Sequence, residues 1–326
     1  MILALETSCD DTCAALVSDA GEMLANVISS QEVHNRFGGV VPEIAARHHI
    51  ELIDSVVSEA FARCGKSESE VRLVAATRGP GLIGALLVGF NTAKGFAAAR
   101  ELPFVAVDHL HGHIAAARLL PHRFDPPFLA LIASGGHTLL LDVPGGGAEI
   151  EVLARTLDDA AGEAFDKGAR MLGLGYPGGA ALSRLAQSGD PHAHAFPTGR
   201  SENFSFAGLK TALLYRLREV DATDEHVRAD LAASYEHAIV EALTRRVVRG
   251  LERTGRARLA LGGGVAANSR LRERLAGLGV ELFLPPIELC TDNAAMIAAA
   301  ALEAEPLPFP DYLSLDVYAT GEGPLR

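Results

Sequence analysis

Phe128-Leu129-Ala130-Leu131-Ile132-Ala133-Ser134-Gly135-Gly136-His137-Thr138-Leu139-Leu140-Leu141-Asp142-Val143 decides the fold, because two short apolar runs stand on either side of a glycine turn. Such runs, bounded by turn residues, are typical of buried strands. We therefore predict strands at 128–133 and 138–143. The chain begins with a similar pattern, with predicted strands at 2–6, 14–18 and 24–29. Because a similar run of strands begins at residue 2 and again at residue 128, we expect two similar halves with a ligand in the cleft between them.

The rest of the chain alternates predicted strands and helices, which indicates a layered α/β protein. A Pro-bracketed stretch at 121–127 marks a boundary between the halves, and we interpret the tail 306–326 as a strap. The further predicted strands are 71–76, 104–107, 259–262 and 280–284. The predicted helices are 43–63, 82–100, 109–117, 159–172, 179–187, 206–220, 226–253, 267–275 and 292–305.

Composition narrows the class of protein. A chain of 326 residues with 48% apolar content and 33 glycines is typical of a globular α/β protein with two domains. We expect no membrane span, because no apolar run of about 18 residues is free of charge. The first residues lack the basic segment of a secretion signal. Four cysteines without a CxxC pair indicate no disulfide framework, so we expect a cytoplasmic protein.

The charge balance bears on nucleic-acid binding. With 29 basic and 41 acidic residues, the formal net charge of −12 has the wrong sign for indiscriminate binding to phosphates. An RNA partner would need a local basic patch or other proteins. Arginines do cluster on two predicted helices, but we interpret them as solvated helix faces. These arginines are Arg245, Arg246, Arg249 and Arg253 on one helix and Arg270, Arg272 and Arg274 on the next.

His109-Leu110-His111-Gly112-His113 follows the apolar strand 104–107. On a helix, residues four apart share one face with Cβ atoms about 5–6 Å apart, so His109 and His113 could hold one metal ion between them. The alternative is a pair of buried histidines bonded to backbone carbonyls. Asp292, at the start of the last predicted helix, is a helix cap or the third ligand of such a site.

Glycine loops follow several predicted strands. The turn at Ser134-Gly135-Gly136, the loop Gly262-Gly263-Gly264 and the loop Thr77–Leu82 can each bring backbone N–H groups close to a phosphate or carboxylate. None matches a P-loop or a dinucleotide fingerprint, and a lone Gly-Gly is often only a hairpin turn. Acidic residues lie near them in sequence: Glu6, Asp10 and Asp11 after the first strand, and Asp166 on a helix, where it could also be an ordinary exposed carboxylate.

Taken together, these motifs resemble the universal tRNA threonylcarbamoyladenosine transferase family, formerly named O-sialoglycoprotein endopeptidases. The resemblance covers residues 1–305 in the family's order. It implies an actin-like ATPase fold, as in sugar kinases and Hsp70-type chaperones, with a first domain at 1–122, completed by about 291–326, and a second at 123–290. The resembling segments are 6–12, 38–48, 79–89, 109–113, 134–138, 162–166, 176–179, 204–211, 262–268 and 291–295.

The resemblance also implies roles for individual residues. His109, His113 and Asp292 would hold one divalent metal, iron or zinc. The resemblance assigns no role to Asp11, where the family usually has Glu, but the implied reaction makes it a candidate for positioning the substrate amine or taking its proton. The residues implied to bind the acyl-adenylate are Ile132, Ala133, Ser134, Gly135 and Gly136 for its phosphate and carbamoyl part, Asp166 and Gly179 for the ribose, and Asn268 for the adenosine end.

The implied reaction transfers a threonylcarbamoyl group from threonylcarbamoyl-AMP to the exocyclic amine of adenosine 37 in tRNAs that read codons beginning with A. The implied partners are tRNA, a smaller actin-like paralogue that forms a heterodimer, and a P-loop ATPase. An actin-fold small-molecule kinase is the alternative enzyme, but such kinases do not need the His109/His113 pair. A non-catalytic partner of a tRNA-modifying assembly is the third interpretation, and loss of the metal ligands or glycine turns would favour it.

Overall fold

The computed structural model describes residues 1–121, 123–146, 148–199 and 201–319. Their strands are β1 (Ile2–Glu6), β2 (Asp11–Val17), β3 (Met23–Ser30), β4 (Leu73–Gly79), β5 (Phe104–Asp108), β6 (Phe128–Ala133), β7 (Thr138–Val143), β8 (Glu151–Arg155), β9 (Arg258–Gly262) and β10 (Glu281–Phe283). Their α-helices are α1 (Pro42–Cys64), α2 (Ile83–Ala98), α3 (His109–Ala115), α4 (Ala161–Met171), α5 (Gly179–Ala186), α6 (Ala207–Glu219), α7 (Glu225–Thr254), α8 (Ser269–Ala276) and α9 (Ala294–Ala301).

The chain divides into two compact units. The first unit combines Met1–Asp125 with the segment that begins at Asp292, and the second unit is Pro126–Thr291. The described helices include none with the combination of length and apolar composition that a membrane crossing needs.

Each unit contains one five-stranded sheet, and the two sheets have the same topology. The strand order is β3-β2-β1-β4-β5 in the first unit and β8-β7-β6-β9-β10 in the second. In each sheet three consecutive strands pair antiparallel, and the later strands join them in parallel. The expectation of two similar α/β halves is therefore confirmed.

The central strands of the sheets are wholly buried, as their apolar sequences predict. All residues of β1 and β6 are buried, which fits strands covered on both faces. Leu3 and Leu5 share a core with Ile53 of α1 and Phe90 of α2. Because successive strand residues point to opposite faces, Glu6 lies on the other face of the sheet. In the second unit, the 30-residue helix α7 supplies much of the core.

The structure differs from the sequence-based expectation at one strand and at the start of the last helix. Strand β8 was not predicted, because Glu151–Arg155 is a half-exposed edge strand with little apolar signal. The last helix begins at Ala294 rather than Asp292, and Asn293 is its N-cap, with its Oδ1 accepting a hydrogen bond from Met296 N at 3.0 Å. The capping alternative for Asp292 is thereby excluded, and its carboxylate turns elsewhere.

Candidate functional site

Helix α3 carries the two histidines of the sequence motif directly after strand β5. His109 and His113 are both buried, with ring centroids 4.8 Å apart at an interplanar angle of 82°. The helix begins at His109 because the side chain of Asp108 accepts hydrogen bonds from Leu110 N and His111 N, at 2.9 and 3.2 Å. The i, i+4 spacing therefore places both imidazoles on one face, as predicted.

Asp292 completes this cluster from the segment just before α9. Its Oδ1 lies 3.4 Å from Nε2 of His109 and 3.2 Å from Nε2 of His113. Ligand atoms from the three residues all lie within 4.8 Å of one another, and no second such group of His, Cys, Asp or Glu occurs in the described residues. Asp292 is partly exposed, so the cluster has two buried nitrogen donors and one carboxylate on its open side.

Glu6 orients one histidine of the cluster, a role that the sequence analysis did not assign to it. Its fully buried carboxylate lies at the end of β1, where Oε2 is 2.9 Å from Nδ1 of His109 and accepts a hydrogen bond from Thr77 Oγ1 at 2.5 Å. Its Oε1 accepts from the backbone N of Ser8. A carboxylate at Nδ1 fixes that nitrogen as the donor and leaves Nε2 directed at the cluster.

Charged groups shift one another's pKa values in this cluster. Burial lowers the pKa of His109, but the carboxylates of Asp292 and Glu6 outweigh it and raise this pKa well above its usual value. Burial raises the pKa of Asp292, but His109 outweighs it and holds this pKa well below the ordinary range. Two carboxylates thus share one proton-bearing imidazole, so a divalent cation could replace the proton.

His113 supplies the test of whether a metal fits. Both of its ring nitrogens are buried without a well-formed hydrogen bond, although Oδ1 of Asp292 lies 3.2 Å from Nε2. Buried polar atoms are rarely left unsatisfied in native proteins. A metal bound at Nε2 would satisfy one of them, and two imidazoles with one carboxylate are a common donor set for catalytic divalent metals.

Asp11 is the first residue of β2 and follows Glu6 closely in the sequence. It pairs with Ser30 of β3, a pairing that extends β2 three residues before its predicted start. Burial raises the pKa of Asp11 to about 7, a hydrogen bond from Ser30 opposes this shift, and the nearby carboxylates add to it. A carboxyl group with this pKa can exchange a proton near neutral pH.

The predicted glycine turns of the second unit meet at one edge of its sheet. Strands β6 and β9 are parallel, with Ile132 opposite Gly262, so the loops that follow them lie side by side. A Cβ on Gly263 would lie 2.4 Å from the carbonyl oxygen of Ala133, so this glycine, at φ +86°, permits the close approach. The structure thus brings together two of the three glycine loops identified in the sequence.

The turn after β6 leaves its backbone open. Ser134 N donates to His137 O at 2.8 Å, and Ser134 Oγ accepts from His137 N at 3.1 Å, which closes the hairpin. A Cβ on Gly135 or Gly136 would have no heavy atom within 4 Å. Helix α4 packs behind the turn, where a Cβ on Gly162 would lie 2.7 Å from Ser134 O. One side of the turn is therefore packed, and the two central glycines have room for an approaching ligand.

Asp166 and Gly179 lie together, as their implied role requires. Oδ1 of Asp166, on α4, accepts from Gly178 N at 2.8 Å and from Gly179 N at 3.1 Å, which ties α4 to the start of α5. Asn268 is held differently: its Oδ1 caps α8 and its Nδ2 donates to Ser183 Oγ at 3.0 Å and Glu236 Oε1 at 2.7 Å. Its amide thus fixes the loop after β9.

The predicted solvated arginine faces are wrong for Arg246. This side chain is buried and donates to the carbonyl oxygens of Thr198 and Ala242, at 3.0 and 3.1 Å. Arg272 likewise donates to carbonyl oxygens of its own unit. Partners hold the remaining members of both clusters: Thr198 for Arg245, Glu202 for Arg249, Glu151 for Arg253, Glu236 for Arg270 and Glu241 for Arg274.

Comparison with known proteins identifies the family. The family model of TsaD, tRNA N6-adenosine threonylcarbamoyltransferase, matches residues 22–299. The chain belongs to the TsaD family. Curated relatives with the name tRNA N6-adenosine threonylcarbamoyltransferase include one from Anaeromyxobacter dehalogenans strain 2CP-1, which is 50% identical in an alignment of 315 positions, gaps included, that covers 93% of this chain and 93% of the relative. Another, from Thermotoga neapolitana, is 47% identical in an alignment of 326 positions, gaps included, that covers 97% of this chain and 98% of the relative.

Solved structures of more distant proteins share the fold. Component A of (R)-2-hydroxyglutaryl-CoA dehydratase from Acidaminococcus fermentans aligns with a TM-score of 0.57 and 17% identity, over 93% of this chain and 96% of that one. HypF of T. kodakarensis aligns with a TM-score of 0.62 and 14% identity, over 93% of this chain and 47% of that one. The TsaD-family chain therefore has the actin-like ATPase fold that the sequence implied.

The roles of two residues beside the cluster of His109, His113 and Asp292 have a signal in the sequence. Glu6 ends an otherwise apolar strand, and a carboxylate in a fully buried strand must have a partner. Asp108 directly precedes the histidine helix, where Asp is a preferred N-cap. Thr77 gives no such signal, because a threonine in a buried strand is ordinary.

Proposed function

We propose that this TsaD-family chain transfers a threonylcarbamoyl group from threonylcarbamoyl-AMP to the exocyclic amine of adenosine 37 in tRNAs that read codons beginning with A, releasing AMP. The observation that carries the proposal is the cluster of His109, His113 and Asp292, backed by Glu6, in a chain whose relatives bear the name of that activity. Because tRNA and this adenylate are cytoplasmic molecules, we place the protein in the cytoplasm.

The proposed cofactor is one divalent metal ion, iron or zinc, held by His109, His113 and Asp292. The orphaned nitrogens of His113 and the orientation of His109 by Glu6 support this assignment. When bound, such an ion supplies Lewis-acid stabilisation of negative charge on phosphate or carbonyl oxygens.

The second unit supplies the proposed binding site for the adenylate. Backbone N–H groups near Gly135 and Gly136 can act as preorganised dipoles toward the phosphate and carbamoyl oxygens, since nothing in the protein crowds those glycines. We assign the strand end Ile132–Ser134 to the same part of the ligand. Asp166 and Gly179, joined by a hydrogen bond, are assigned to the ribose, and Asn268 to the adenosine end.

The reaction needs no protein nucleophile, because the mixed anhydride is already activated. The amine nitrogen of adenosine forms a bond to the carbamoyl carbon, the bond from that carbon to the phosphate oxygen breaks, and AMP leaves with the electron pair. We propose that the carboxylate of Asp11 takes the proton that the amine loses. Its pKa of about 7 supports this role, because an effective general base has a pKa near the working pH.

The chain is proposed to work with partners. Its net charge of −12 and the engagement of its clustered arginines within their own unit leave it little general attraction for tRNA. Ile50, on α1, and Ile83 and Leu87, on α2, are 66, 42 and 37% exposed on helices that pack against each other. Such apolar exposure supports a protein partner, and we propose the smaller actin-like paralogue, with a P-loop ATPase as the third component.

The test is a reconstituted reaction of purified protein, tRNA transcript and threonylcarbamoyl-AMP, with and without the partners, followed by nucleoside mass spectrometry. We expect modified adenosine with the partners present and little turnover without them. His109→Ala and His113→Ala should abolish both bound metal and product, whereas His111→Ala, on the same helix but outside the cluster, should retain both. No product in the complete mixture would refute the activity. Full metal content in a variant that carries both His109→Ala and His113→Ala would refute the metal site.

A further inference from the structure

Residues 306–319 of the tail follow a fixed course along the first unit. Leu307 and Phe104 exchange backbone hydrogen bonds, 2.9 Å in each direction. Tyr312 is buried with its ring centroid 5.1 Å from that of Phe104. Nζ of Lys94 donates to the carbonyl oxygen of Leu315 at 2.9 Å. The tail is therefore anchored at several points before it reaches Tyr318.

Tyr318 is fastened to the end of β4. Its backbone N donates to the carbonyl oxygen of Arg78 at 3.1 Å, and Nε of Arg78 donates to the carbonyl oxygen of Asp316 at 2.7 Å. A Cβ on Gly79 would lie 2.3 Å from the carbonyl oxygen of Tyr318 and 2.6 Å from its ring. The backbone and the ring of Tyr318 are thus both held in place, and the direction of its hydroxyl group follows.

The hydroxyl of Tyr318 donates to Oδ2 of Asp108, the N-cap residue of the histidine helix. The other oxygen of Asp108 accepts the first backbone N–H groups of that helix. Burial and the neighbouring Asp108 raise the pKa of Tyr318 above its usual value, so the hydroxyl keeps its proton and remains a donor. Tyr318 and the helix therefore bind opposite oxygens of one buried carboxylate.

The helix that depends on this carboxylate is short. Helix α3 has seven residues, and helices of this length are not stable without capping and packing. On one flank it packs tightly against α9, where a Cβ on Gly112 would lie 2.8 Å from Ile297. Its start is held by Asp108, which directly precedes His109. A rotation of the Asp108 carboxylate would therefore move the first turn of the helix and the His109 ring with it.

We propose that Tyr318 is a positioning residue of the metal centre: its hydroxyl fixes the Asp108 carboxylate, which fixes the first turn of α3 and hence the two histidines. This role rests on the proposed metal site. It makes residues 306–319 part of the structure that determines metal affinity, although these described residues of the tail supply no ligand. Substitutions of residues that orient metal ligands typically cost about 10- to 100-fold in affinity, and Tyr318 acts through one further residue, so about tenfold is expected.

The experiment compares the full-length wild-type chain with Tyr318→Phe. Phenylalanine keeps the ring against Gly79 and removes only the hydroxyl, so the fold is retained. Metal-free protein is titrated with Zn²⁺ against a chromophoric chelator, and with Co²⁺ while its visible absorption is recorded. The matched control is Tyr215→Phe, since Tyr215 is an exposed tyrosine of the second unit. We expect about tenfold weaker Zn²⁺ binding and an altered Co²⁺ spectrum for Tyr318→Phe, and no change for the control.

A second variant tests the route through Asp108. In an Asp108→Ala background, Tyr318→Phe should have no further effect on Zn²⁺ affinity, because the group through which the hydroxyl acts is gone. An equal loss in both backgrounds would overturn that route, and equal affinities of wild type and Tyr318→Phe would overturn the role of Tyr318. Failure of the wild type to bind either metal would instead contradict the proposed metal site.

Discussion

Replacing Glu6 by glutamine tests how the metal ligands are oriented. Glu6 accepts three hydrogen bonds: from Ser8 N at one oxygen, and from Thr77 and Nδ1 of His109 at the other. Glutamine has the same shape but only one acceptor oxygen. If its NH₂ faces His109, then Nδ1 must become the acceptor, and the proton moves to Nε2. If its NH₂ faces Ser8, two N–H donors oppose each other. The first arrangement changes the protonation of His109 directly, whereas the second loses the hydrogen bond from Ser8 and shifts the side chain that holds His109.

The magnitude follows from the geometry. Loss of a residue that orients a metal-bound histidine costs about 10- to 100-fold in affinity. Since tenfold corresponds to about 1.4 kcal/mol, the expected loss is about 1.4–2.8 kcal/mol. The hydrogen bond from Nδ1 to Oε2 is 2.9 Å long and fully buried, and hydrogen bonds to charged groups are worth about 1.5–3 kcal/mol. The two estimates agree.

The assay is competition for Zn²⁺ between metal-free protein and a chromophoric chelator at pH 7.5, with nitrogen NMR of the histidine rings to assign the protonated nitrogen. Glu22→Gln, at an exposed position of the first unit, is the matched control. We expect the metal affinity to fall for Glu6→Gln alone, and the His109 ring, which both carboxylates keep doubly protonated in the metal-free wild type, to lose its Nδ1 proton. Wild-type affinity with an unchanged tautomer would refute the orienting role of Glu6.

Three further predictions concern other parts of the molecule. Gly135→Val should fold normally, because open space surrounds that glycine, but its side chain should fill the space for the adenylate and lower the affinity at least about tenfold by calorimetry. Gly162→Val, which has no such space, should instead lower the unfolding temperature. Burial lowers the pKa of His49 below 6.5, so the unfolded chain takes up a proton there before the folded protein does. As pH drops below about 6.5, the free energy of unfolding of the wild type should therefore fall relative to His49→Gln, by up to about 1.4 kcal/mol per pH unit in denaturant titrations. Parallel plots of stability against pH for the two proteins would contradict this. The pKa of Asp11 is about 7, so if its carboxylate is the base, the activity should rise with pH through 7. Asp11→Asn should remove that rise and, because it carries no buried charge, be more stable than wild type above pH 7. An unchanged pH–rate profile would exclude Asp11 as the base.

The sequence predicts the repeated sheet well and its edges poorly. Strands 128–133 and 138–143 are observed with the predicted bounds, because apolar runs and a glycine turn leave no competing conformation. Strand Glu151–Arg155 escaped prediction, since an edge strand needs little apolar surface. The start of the last helix was misplaced because Asp292 and Asn293 are equally good caps by residue type.

The metal cluster was predictable only in its local part. The i, i+4 spacing places His109 and His113 on one face, which a sequence alone can show. The role of Glu6 cannot be read in the same way, because its contact with His109 joins residues 103 positions apart. Such pairings depend on sheet order, and neither helical spacing nor residue type determines that order.

Sheet order also explains why the cluster lies where it does. β1, β4 and β5 are parallel neighbours in the first unit, so their carboxyl ends meet at one edge, where open α/β sheets place their ligands. Glu6 ends β1, Thr77 lies near the end of β4, and His109 follows β5. The third member of the cluster, Asp292, arrives only after the chain has passed through the second unit and returned. A chain that ended before Asp292 would therefore lack one member of the proposed metal site together with α9, the helix that packs against α3. The cluster thus depends on both segments of the first unit, and metal binding at the proposed site would report that the returning segment has docked.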